Sequence, residues 1–342
     1  MSRIGIIGDL HLGINESKPL FNEYHMSCID HIYNEFNKEG ITDIIYLGDV
    51  FDKRYSISVK TLKQANDIFD NEFNQTFLLG NHDICYKNSN ELNSVEILLG
   101  DKNKVIVNTP EEIEFGDKKI LIVPWINKTN IEESTNIIND SEAEYMLGHL
   151  EMSGFEMIRG IICRDSQFKL SILNKFKHVI SGHFHCYSQK NNITYLGSVC
   201  EMTWNDYNVD KYAGILDSET DELQLLSIPR RLHEIIRIKK DTVLPDIETY
   251  KDKIVKVYLY TKRTITLEKF ITKLDDLSLS VIVIEEEILN ATEDFDIENH
   301  NMSILDLWQA YLGEMSMTKK DATIVNKIFN DVYLKVQTGD LD

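Results

Sequence analysis

The sequence lacks the features that mark membrane, secreted and disulfide-rich proteins. No apolar run approaches the ~18 to 20 residues that cross a bilayer, and the opening MSRIGIIGDLHLG has no signal-peptide pattern. The five cysteines are widely spaced without a CxxC pair, which predicts neither a disulfide framework nor a thiolate zinc site. We therefore expect a cytoplasmic protein that has no membrane contact.

Positive charge is scarce as well. Lysine and arginine number 36 against 56 acidic residues, and the net charge of −20 repels a polyanion at long range. The net charge is only weak evidence against nucleic-acid binding, because a metal ion or a basic partner reverses the electric field locally. With 342 residues, 42% of them hydrophobic, the chain has room for two modest domains with buried cores.

The order of the segments predicts an α/β sandwich. Short apolar runs alternate with amphipathic stretches, among which 21–36 and 59–73 have helical periodicity, and hairpin-like alternation follows from residue 104. Pro229 marks a plausible domain boundary. The expected divisions are a main domain at 1–229, a small α/β unit at 230–290, an acidic linker at 291–302 and two amphipathic helices within 303–342.

One format recurs five times: an apolar run reaches a glycine and is followed at once by Asp, Asn or His. The instances are IGIIGDLH with Asp9 and His11, IIYLGDVFD with Asp49 and Asp52, FLLGNHD with Asn81, His82 and Asp83, YMLGHLE with His149 and Glu151, and HVISGHFH with His183 and His185. A single Gly-Asp after a strand is more often a turn, and a single histidine is more often structural. Five such elements in one chain are hard to explain as independent turns, so we expect them to converge at the carboxyl ends of parallel strands.

The residue types indicate a metal site. Carboxylate, imidazole and amide donors without thiolates suit divalent ions such as Mn²⁺, Fe²⁺, Zn²⁺ or Mg²⁺. Seven plausible ligands are too many for one ion, and they fit two ions that share a carboxylate. Phosphoester hydrolysis is the chemistry that such a pair commonly performs.

In this order, the motifs DxH, GDxxD, GNHD, GH and GHxH resemble those of the calcineurin-type metallophosphoesterase superfamily. More narrowly, DLHLG at 9–13, GDVFD at 48–52, GHLEMSG at 148–154 and YLGS at 195–198 resemble SbcD-type nuclease subunits of recombination and repair complexes. In its length, its acidity and its compact C-terminal part, the chain is most similar to the version from T-even-type bacteriophages. The resemblance implies a two-sheet sandwich flanked by helices, with a small α/β capping domain and a helical tail.

The resemblance also implies roles for individual residues. The first metal would be bound by Asp9, His11, Asp49 and His185, and the second by Asp49, Asn81, His149 and His183. Asp49 would bridge the two ions. His82 would stay off the metals and act as the catalytic residue, while Asp83 could orient it and Asp52 has no assigned role. The cofactors implied are two divalent ions, Mn²⁺ first and Mg²⁺ as the alternative.

The function implied is a Mn²⁺-dependent DNA nuclease, an exonuclease on DNA ends and an endonuclease on single strands. Its partners would be DNA, an SbcC-type coiled-coil ATPase that binds the 303–342 segment, and a second copy of the chain. It would act in recombination, replication and repair, in the host-cell cytoplasm if the chain is viral. Two alternatives stay open: another metallophosphodiesterase, or a non-catalytic scaffold for DNA and the ATPase.

Overall fold

The computed structural model describes residues 2–100, 104–158, 160–164, 166, 168–285, 308, 312 and 319–338. The chain divides into two compact units, Met1–Glu287 and Ile288–Asp342. The predicted acidic linker at 291–302 lies outside the described residues. The five cysteines are free, and none of the described helices is long and apolar enough to span a bilayer.

The elements are numbered along the chain. The strands are β1 Arg3–Ile7, β2 Asp43–Tyr46, β3 Asn74–Leu78, β4 Ile84–Tyr86, β5 Ser89–Asn93, β6 Lys104–Val107, β7 Glu111–Phe115, β8 Lys118–Val123, β9 Tyr145–His149, β10 Glu156–Ile158, β11 Ile161–Ile162, β12 His178–Gly182, β13 Ser188–Lys190, β14 Ile193–Tyr195, β15 Tyr212–Asp217, β16 Glu222–Ser227, β17 His233–Ile238, β18 Ile254–Leu259 and β19 Ser280–Glu285. The helices are α1 Pro19–Lys38, α2 Val59–Phe69, α3 Ser94–Leu99, α4 Ile131–Asp140, α5 Ile265–Leu277 and α6 Lys319–Thr338.

Two six-stranded sheets form the sandwich. The first has the order β16-β15-β1-β2-β3-β6, in which β1, β2, β3 and β6 are parallel. The second has the order β13-β14-β12-β9-β8-β7, in which β14, β12, β9 and β8 are parallel. In the second sheet the parallel strands lie in the middle, and in the first sheet they run from the centre to the edge strand β6. Buried, nearly continuous apolar runs are expected in the central strands. The predicted α/β sandwich is therefore confirmed.

Alternating side chains of β1 show how the layers are built. Ile4 and Ile6 belong to the core between the sheets, whereas Ile7 packs into the core beneath the helices. The inter-sheet core also takes Ile45, Leu78, Ile122, Leu147 and Ile180. Phe21, Cys28, Ile29, Ile32 and Phe36 of α1 cover the outer face of the first sheet, as the helical periodicity predicts.

The second predicted helix is shorter than expected. Its periodicity extends to Phe73, but α2 ends at Phe69. Asn71 ends it, because its Nδ2 donates to the Ile68 carbonyl at 2.9 Å and its Oδ1 accepts the Phe73 N–H at 3.0 Å. These bonds turn the chain into β3, and they are the local side-chain contacts that compete with helix.

A three-stranded parallel sheet, β17-β18-β19, lies between residues 233 and 285 and packs α5 onto its own apolar core. The buried carboxylate of Glu201 joins it to the sandwich, since Oε2 accepts the N–H groups of Leu232 and His233 at 2.8 Å. Lys256 adds a cation–π contact, with Nζ 3.9 Å from the centroid of the Trp204 ring. The domain boundary near residue 229 stays a prediction.

Candidate metal centre

The seven predicted ligands lie where parallel strands of the two sheets end. Asp9 and His11 follow β1, Asp49 follows β2, and Asn81 follows β3. In the second sheet, His149 is the last residue of β9, and His183 and His185 follow β12. Parallel strands expose their carboxyl ends at one edge, so each sheet delivers its polar residues to the same rim. The two rims meet in three groups of close donor atoms.

Three residues at these strand ends have strained backbone conformations. His11 and Asp49 both have φ 48°, and His183 has φ 90°, in the left-handed region that most residues avoid. Such conformations cost on the order of 1–3 kcal/mol each and persist only where the surrounding structure imposes them. Here they turn side chains from three separate strands toward one another.

Glycine at two strand ends is required by close approach. A Cβ at Gly80 would lie 2.1 Å from Asp49 Oδ1, so any side chain would displace the carboxylate. Gly48 has φ +102°, and a Cβ there would lie 2.6 Å from His149 Nδ1. Gly48 and Gly80 thus leave the space that the neighbouring donors His149 and Asp49 occupy.

The first group contains Asp9, His11 and His185, whose donor atoms all lie within 4.8 Å of one another. His11 Nε2 and His185 Nε2 face each other at 3.0 Å, and His185 Nε2 is 3.9 Å from Asp9 Oδ2. Asp9 accepts the main-chain N–H of His183 at 3.0 Å through Oδ2. That bond ties the end of β1 to the end of β12.

The second group contains Asp49, His149 and His183, and Asn81 lies among them. Asn81 Oδ1 is 3.1 Å from His149 Nε2 and 2.9 Å from His183 Nδ1. His149 Nδ1–H donates to the Leu47 carbonyl at 2.8 Å, which directs Nε2 toward Asp49 Oδ2 at 3.4 Å. This orientation, fixed from behind by a carbonyl, is typical of metal-binding histidines.

His82 forms the third group together with His11 and Asp49, although the resemblance assigns it no metal. Its ring is 4.8 Å from that of His11, and its Nδ1–H donates to the main-chain carbonyl of Asp52 at 2.7 Å. The nitrogen left for chemistry is therefore Nε2. Because the His82 N–H also donates to Asp49 Oδ1 at 2.8 Å, the residue is held from two sides.

Asp83, expected to orient His82, and Asp52, which has no assigned role, have different surroundings. Asp83 is fully buried, and it accepts the N–H groups of Gly80 at 2.9 Å and Phe51 at 3.1 Å, so it links the second and third motif loops. Asp52 Oδ1 lies 3.4 Å from His11 Nδ1. Asp52 therefore contacts His82 through its carbonyl and His11 through its carboxylate.

The electrostatics of the rim favour a cation. Burial raises the pKa of Asp9 to about 6, and the charge of Asp49 adds to that effect while His149 opposes it. Burial acts against a charged His149, yet Asp49 and Asp9 raise its pKa to about 9. For His11, burial is likewise outweighed by Asp52, Asp49 and Asp9, which raise its pKa to about 9. Both shifts report a strongly negative potential.

The donor set fits two divalent ions. Buried carboxylates share the site with ring nitrogens that face each other across 3.0 Å, an arrangement that a cation between them would relieve. Asp49 belongs to a group with His11 and His82 and to a group with His149 and His183, so its carboxylate would be available to both ions. Nitrogen and oxygen donors without sulfur suit borderline to hard ions.

Some residues that contact the candidate ligands lie outside the five sequence motifs. Trp125 follows β8 and packs against the rings of His183 and His149, with centroids 5.0 and 5.9 Å away. Lys211 is 1% exposed, and its Nζ donates to the His185 carbonyl at 3.0 Å, Ser198 Oγ at 2.8 Å and Asp206 Oδ1 at 2.6 Å. The apolar run ILIVPW signals a strand end at Trp125, whereas nothing local signals Lys211.

Comparison with known proteins identifies the family and one similar sequence. The family described as calcineurin-like phosphoesterase matches residues 2–187, which include all five motifs. Exonuclease subunit 1 of Enterobacteria phage T4 is 28% identical over 340 residues, covering 96% of this chain and 98% of that protein.

Two solved structures are also similar. A dimetal phosphatase from Danio rerio shares 14% identity with a TM-score of 0.43, covering 67% of this chain and 99% of that one. A nuclease from Pseudomonas putida shares 12% identity with a TM-score of 0.34, covering 65% of this chain and 87% of that one.

Gly80→Ala should weaken metal binding, because its Cβ would overlap Asp49 Oδ1. We expect a loss of about 1–3 kcal/mol in the free energy of unfolding from overpacking, together with fewer Mn²⁺ ions bound in calorimetry. Gly40→Ala is the matched control, since Gly40 has φ +67° but open space around it. It should lose stability and keep its metals. Full Mn²⁺ binding by the Gly80 variant would contradict the argument.

Lys211→Met should destabilise the chain strongly, because it leaves Asp206 as an unpaired buried charge. Removing one partner of a buried pair costs about 3–5 kcal/mol, measurable by urea denaturation. Adding Asp206→Asn should recover part of the loss, and Lys240→Met at an exposed site should have no effect. A loss below about 1 kcal/mol, the range of surface pairs, would show that the pair contributes little.

Proposed function

The chain belongs to the calcineurin-like phosphoesterase family and is a metal-dependent phosphodiesterase, and from that premise we propose that it is a Mn²⁺-dependent DNA nuclease. One observation carries the proposal. The similarity to an exonuclease subunit continues through 96% of the chain, far beyond the matched family domain at 2–187. The part of the chain after residue 187 is thus similar to that relative as well, and this supports a shared class of substrate.

The residues of the centre can divide the work of hydrolysis. We assign Asp9, His11, Asp49 and His185 to one ion and Asp49, Asn81, His149 and His183 to the other. Bound there, two divalent ions would supply the positive charge that stabilises the transition state of phosphoester hydrolysis. Manganese suits this mixture of imidazole and carboxylate donors.

His82 is proposed to hold a proton at Nε2 and give it to the leaving oxygen. The bond from Nδ1–H to the Asp52 carbonyl fixes the tautomer and the ring orientation. Burial lowers the pKa of His82, against the opposing charge of Asp49. A substrate phosphate next to Nε2 favours the protonated form.

A digestion experiment tests the proposed function. Purified protein with Mn²⁺, Mg²⁺ or no metal is incubated with end-labelled single- and double-stranded DNA. Mn²⁺-dependent shortening of DNA is expected. Rapid hydrolysis of a small aryl phosphodiester with intact DNA would instead indicate another metallophosphodiesterase, and DNA binding without any cleavage would indicate a scaffold.

Two variants separate catalysis from metal binding in that assay. His82→Ala should keep both ions and lose activity by a factor on the order of 10² or more, since it removes the proton donor. Asp49→Asn should lose metal, because it removes the bridging carboxylate. Elemental analysis and calorimetry count the ions. A His82 variant that lacks one ion would make this residue a ligand.

The segment 303–342 is proposed to bind an SbcC-type coiled-coil ATPase, since the similar phage protein is named as a subunit. In the described part of this segment, Trp308 stacks on Phe329 of α6 with a centroid distance of 4.2 Å. This contact covers one apolar side of α6. Ile324, Ile328 and Val332, spaced four residues apart, are 49%, 58% and 51% exposed. An exposed apolar stripe of this kind is suited to packing into a hydrophobic groove of a helical partner.

Deleting residues 303–342 should abolish co-purification of the ATPase and leave Mn²⁺-dependent cleavage of short single strands unchanged, because the centre lies in the other compact unit. Lys327→Gln, at an exposed position of α6, is the control and should retain the ATPase. Continued association of the deletion variant would refute the assignment. A homodimer and action in the host-cell cytoplasm are further proposals, and light scattering of the purified chain tests the first.

A further inference from the structure

Glu151 lies behind one of the candidate histidine ligands. We propose that it is a positioning residue for the second ion, the one assigned to Asp49, Asn81, His149 and His183. Its carboxylate accepts the Nε2–H proton of His183 and so keeps Nδ1 directed toward that ion. The inference rests on the proposed assignment of His183 as a ligand.

The two ring nitrogens of His183 face different neighbours. Nδ1 is 2.9 Å from Asn81 Oδ1, on the side of the candidate ligands, whereas Nε2 is 3.6 Å from Glu151 Oε2. A neutral imidazole has one nitrogen with a free lone pair and one with a proton, and only the lone pair binds a metal ion. When Nδ1 binds the ion, Nε2 carries the proton, and the Glu151 carboxylate is the neighbouring acceptor.

Packing alone does not select this orientation of the ring. The rings of Trp125 and Phe184 each lie 5.0 Å from that of His183, tilted by 44° and 37°. Rotating the imidazole by 180° about its bond to Cβ keeps nearly the same shape but puts a carbon atom where Nδ1 was. Aromatic contacts hold both orientations to a similar degree, so a polar partner must decide between them.

The main chain next to Glu151 is held by neighbouring strands. The Leu150 N–H donates to Ser181 Oγ at 3.0 Å, and the Leu150 carbonyl accepts the hydroxyl proton of Tyr195 at 2.8 Å. Ser181 belongs to β12, which also leads into His183, and Tyr195 belongs to β14. The carboxylate therefore starts from a fixed position near Nε2, which lowers the entropy cost of the contact.

The Glu151 side chain is close enough to respond to a bound ion. The separation of 3.6 Å is longer than a direct hydrogen bond. The side chain is 32% exposed, so it is free to adjust. A cation at Nδ1 polarises the imidazole, and hydrogen bonds to ionised acceptors are shorter and stronger than neutral ones. Metal binding and the Glu151 contact therefore strengthen each other.

A similar arrangement occurs at the first ion. His11 Nε2 lies 3.5 Å from Asp49 Oδ2, among the candidate ligands, and His11 Nδ1 lies 3.4 Å from Asp52 Oδ1. His149 and His82 differ, because main-chain carbonyls accept their Nδ1 protons. Each ion thus has one histidine backed by a carboxylate, a contact that orients the ring and strengthens the ligand.

Calorimetric titration with Mn²⁺ compares the wild type with Glu151→Gln, Glu151→Ala, His183→Ala and Glu222→Gln, the last a charge-matched control at an exposed site on β16. The wild type should bind two ions. Glu151→Ala should bind one of them about 10- to 100-fold more weakly, the usual effect of removing an outer partner of a metal ligand. Glu151→Gln keeps an oxygen acceptor without the charge, so its loss should be smaller. His183→Ala should lose that ion, and Glu222→Gln should match the wild type.

Nuclear magnetic resonance adds a signal that a purely structural role would not change. Zn²⁺ replaces Mn²⁺ because its filled d shell makes it diamagnetic, and the histidines are labelled with ¹⁵N. The Nε2–H proton of His183 should exchange slowly with water in the wild type and rapidly in Glu151→Ala. Its signal is assigned by its absence from His183→Ala. Urea denaturation of the chelator-treated proteins should give the same midpoint for the wild type and Glu151→Ala.

Four outcomes would overturn the inference. If the wild type binds two ions and Glu151→Ala binds them equally well, this inference alone is refuted. Complete loss of one ion from Glu151→Ala would make Glu151 a ligand, and a lower urea midpoint with an unchanged Nε2–H signal would make its role structural. If His183→Ala still binds two ions, His183 is not a ligand, and the proposed assignment fails as well.

Discussion

Asp49 places a buried carboxylate between the two sheets, and side chains from both sheets depend on it. From the first sheet it accepts the N–H of His82 and lies 3.5 Å from His11 Nε2, and from the second it lies 3.4 Å from His149 Nε2. The glycine at position 80 and the left-handed backbone at Asp49 make room for this arrangement. The sandwich must close before these contacts exist, so folding and the assembly of the centre are one process.

Such a concentration of buried acidic and imidazole groups is unfavourable by itself. Burial holds the pKa of Asp9 near 6 and raises that of Asp83 to about 7, with the charge of Asp49 adding to both effects. Desolvated carboxylates need either protons or positive charge. Two divalent ions would satisfy that need and supply catalytic charge, so the feature that destabilises the empty scaffold is also the one that binds the cofactor.

Residues outside the predicted ligand set hold the candidate ligands in place. Lys211 and Asp206 fix the His185 loop through a buried ion pair, and Trp125 closes the space behind His149 and His183. Asp83 joins the loops that carry Asp49 and Asn81 by accepting main-chain N–H groups. Supporting contacts of this kind orient metal ligands and tune their basicity. The net result is a rigid rim around the candidate ligands.

The sequence by itself determined the α/β class and the candidate ligands, because glycine and polar residues directly after apolar runs are local signals. It also located α1, whose apolar residues keep a helical period. It could not show that Asn81 lies between His149 and His183, that His82 Nδ1 is occupied by the Asp52 carbonyl, or that Lys211 supports His185. These contacts join residues 26 to 102 positions apart. Only the tertiary packing decides them, within the first sheet for His82 and Asp52 and between the sheets for the others, since no local sequence pattern encodes that geometry.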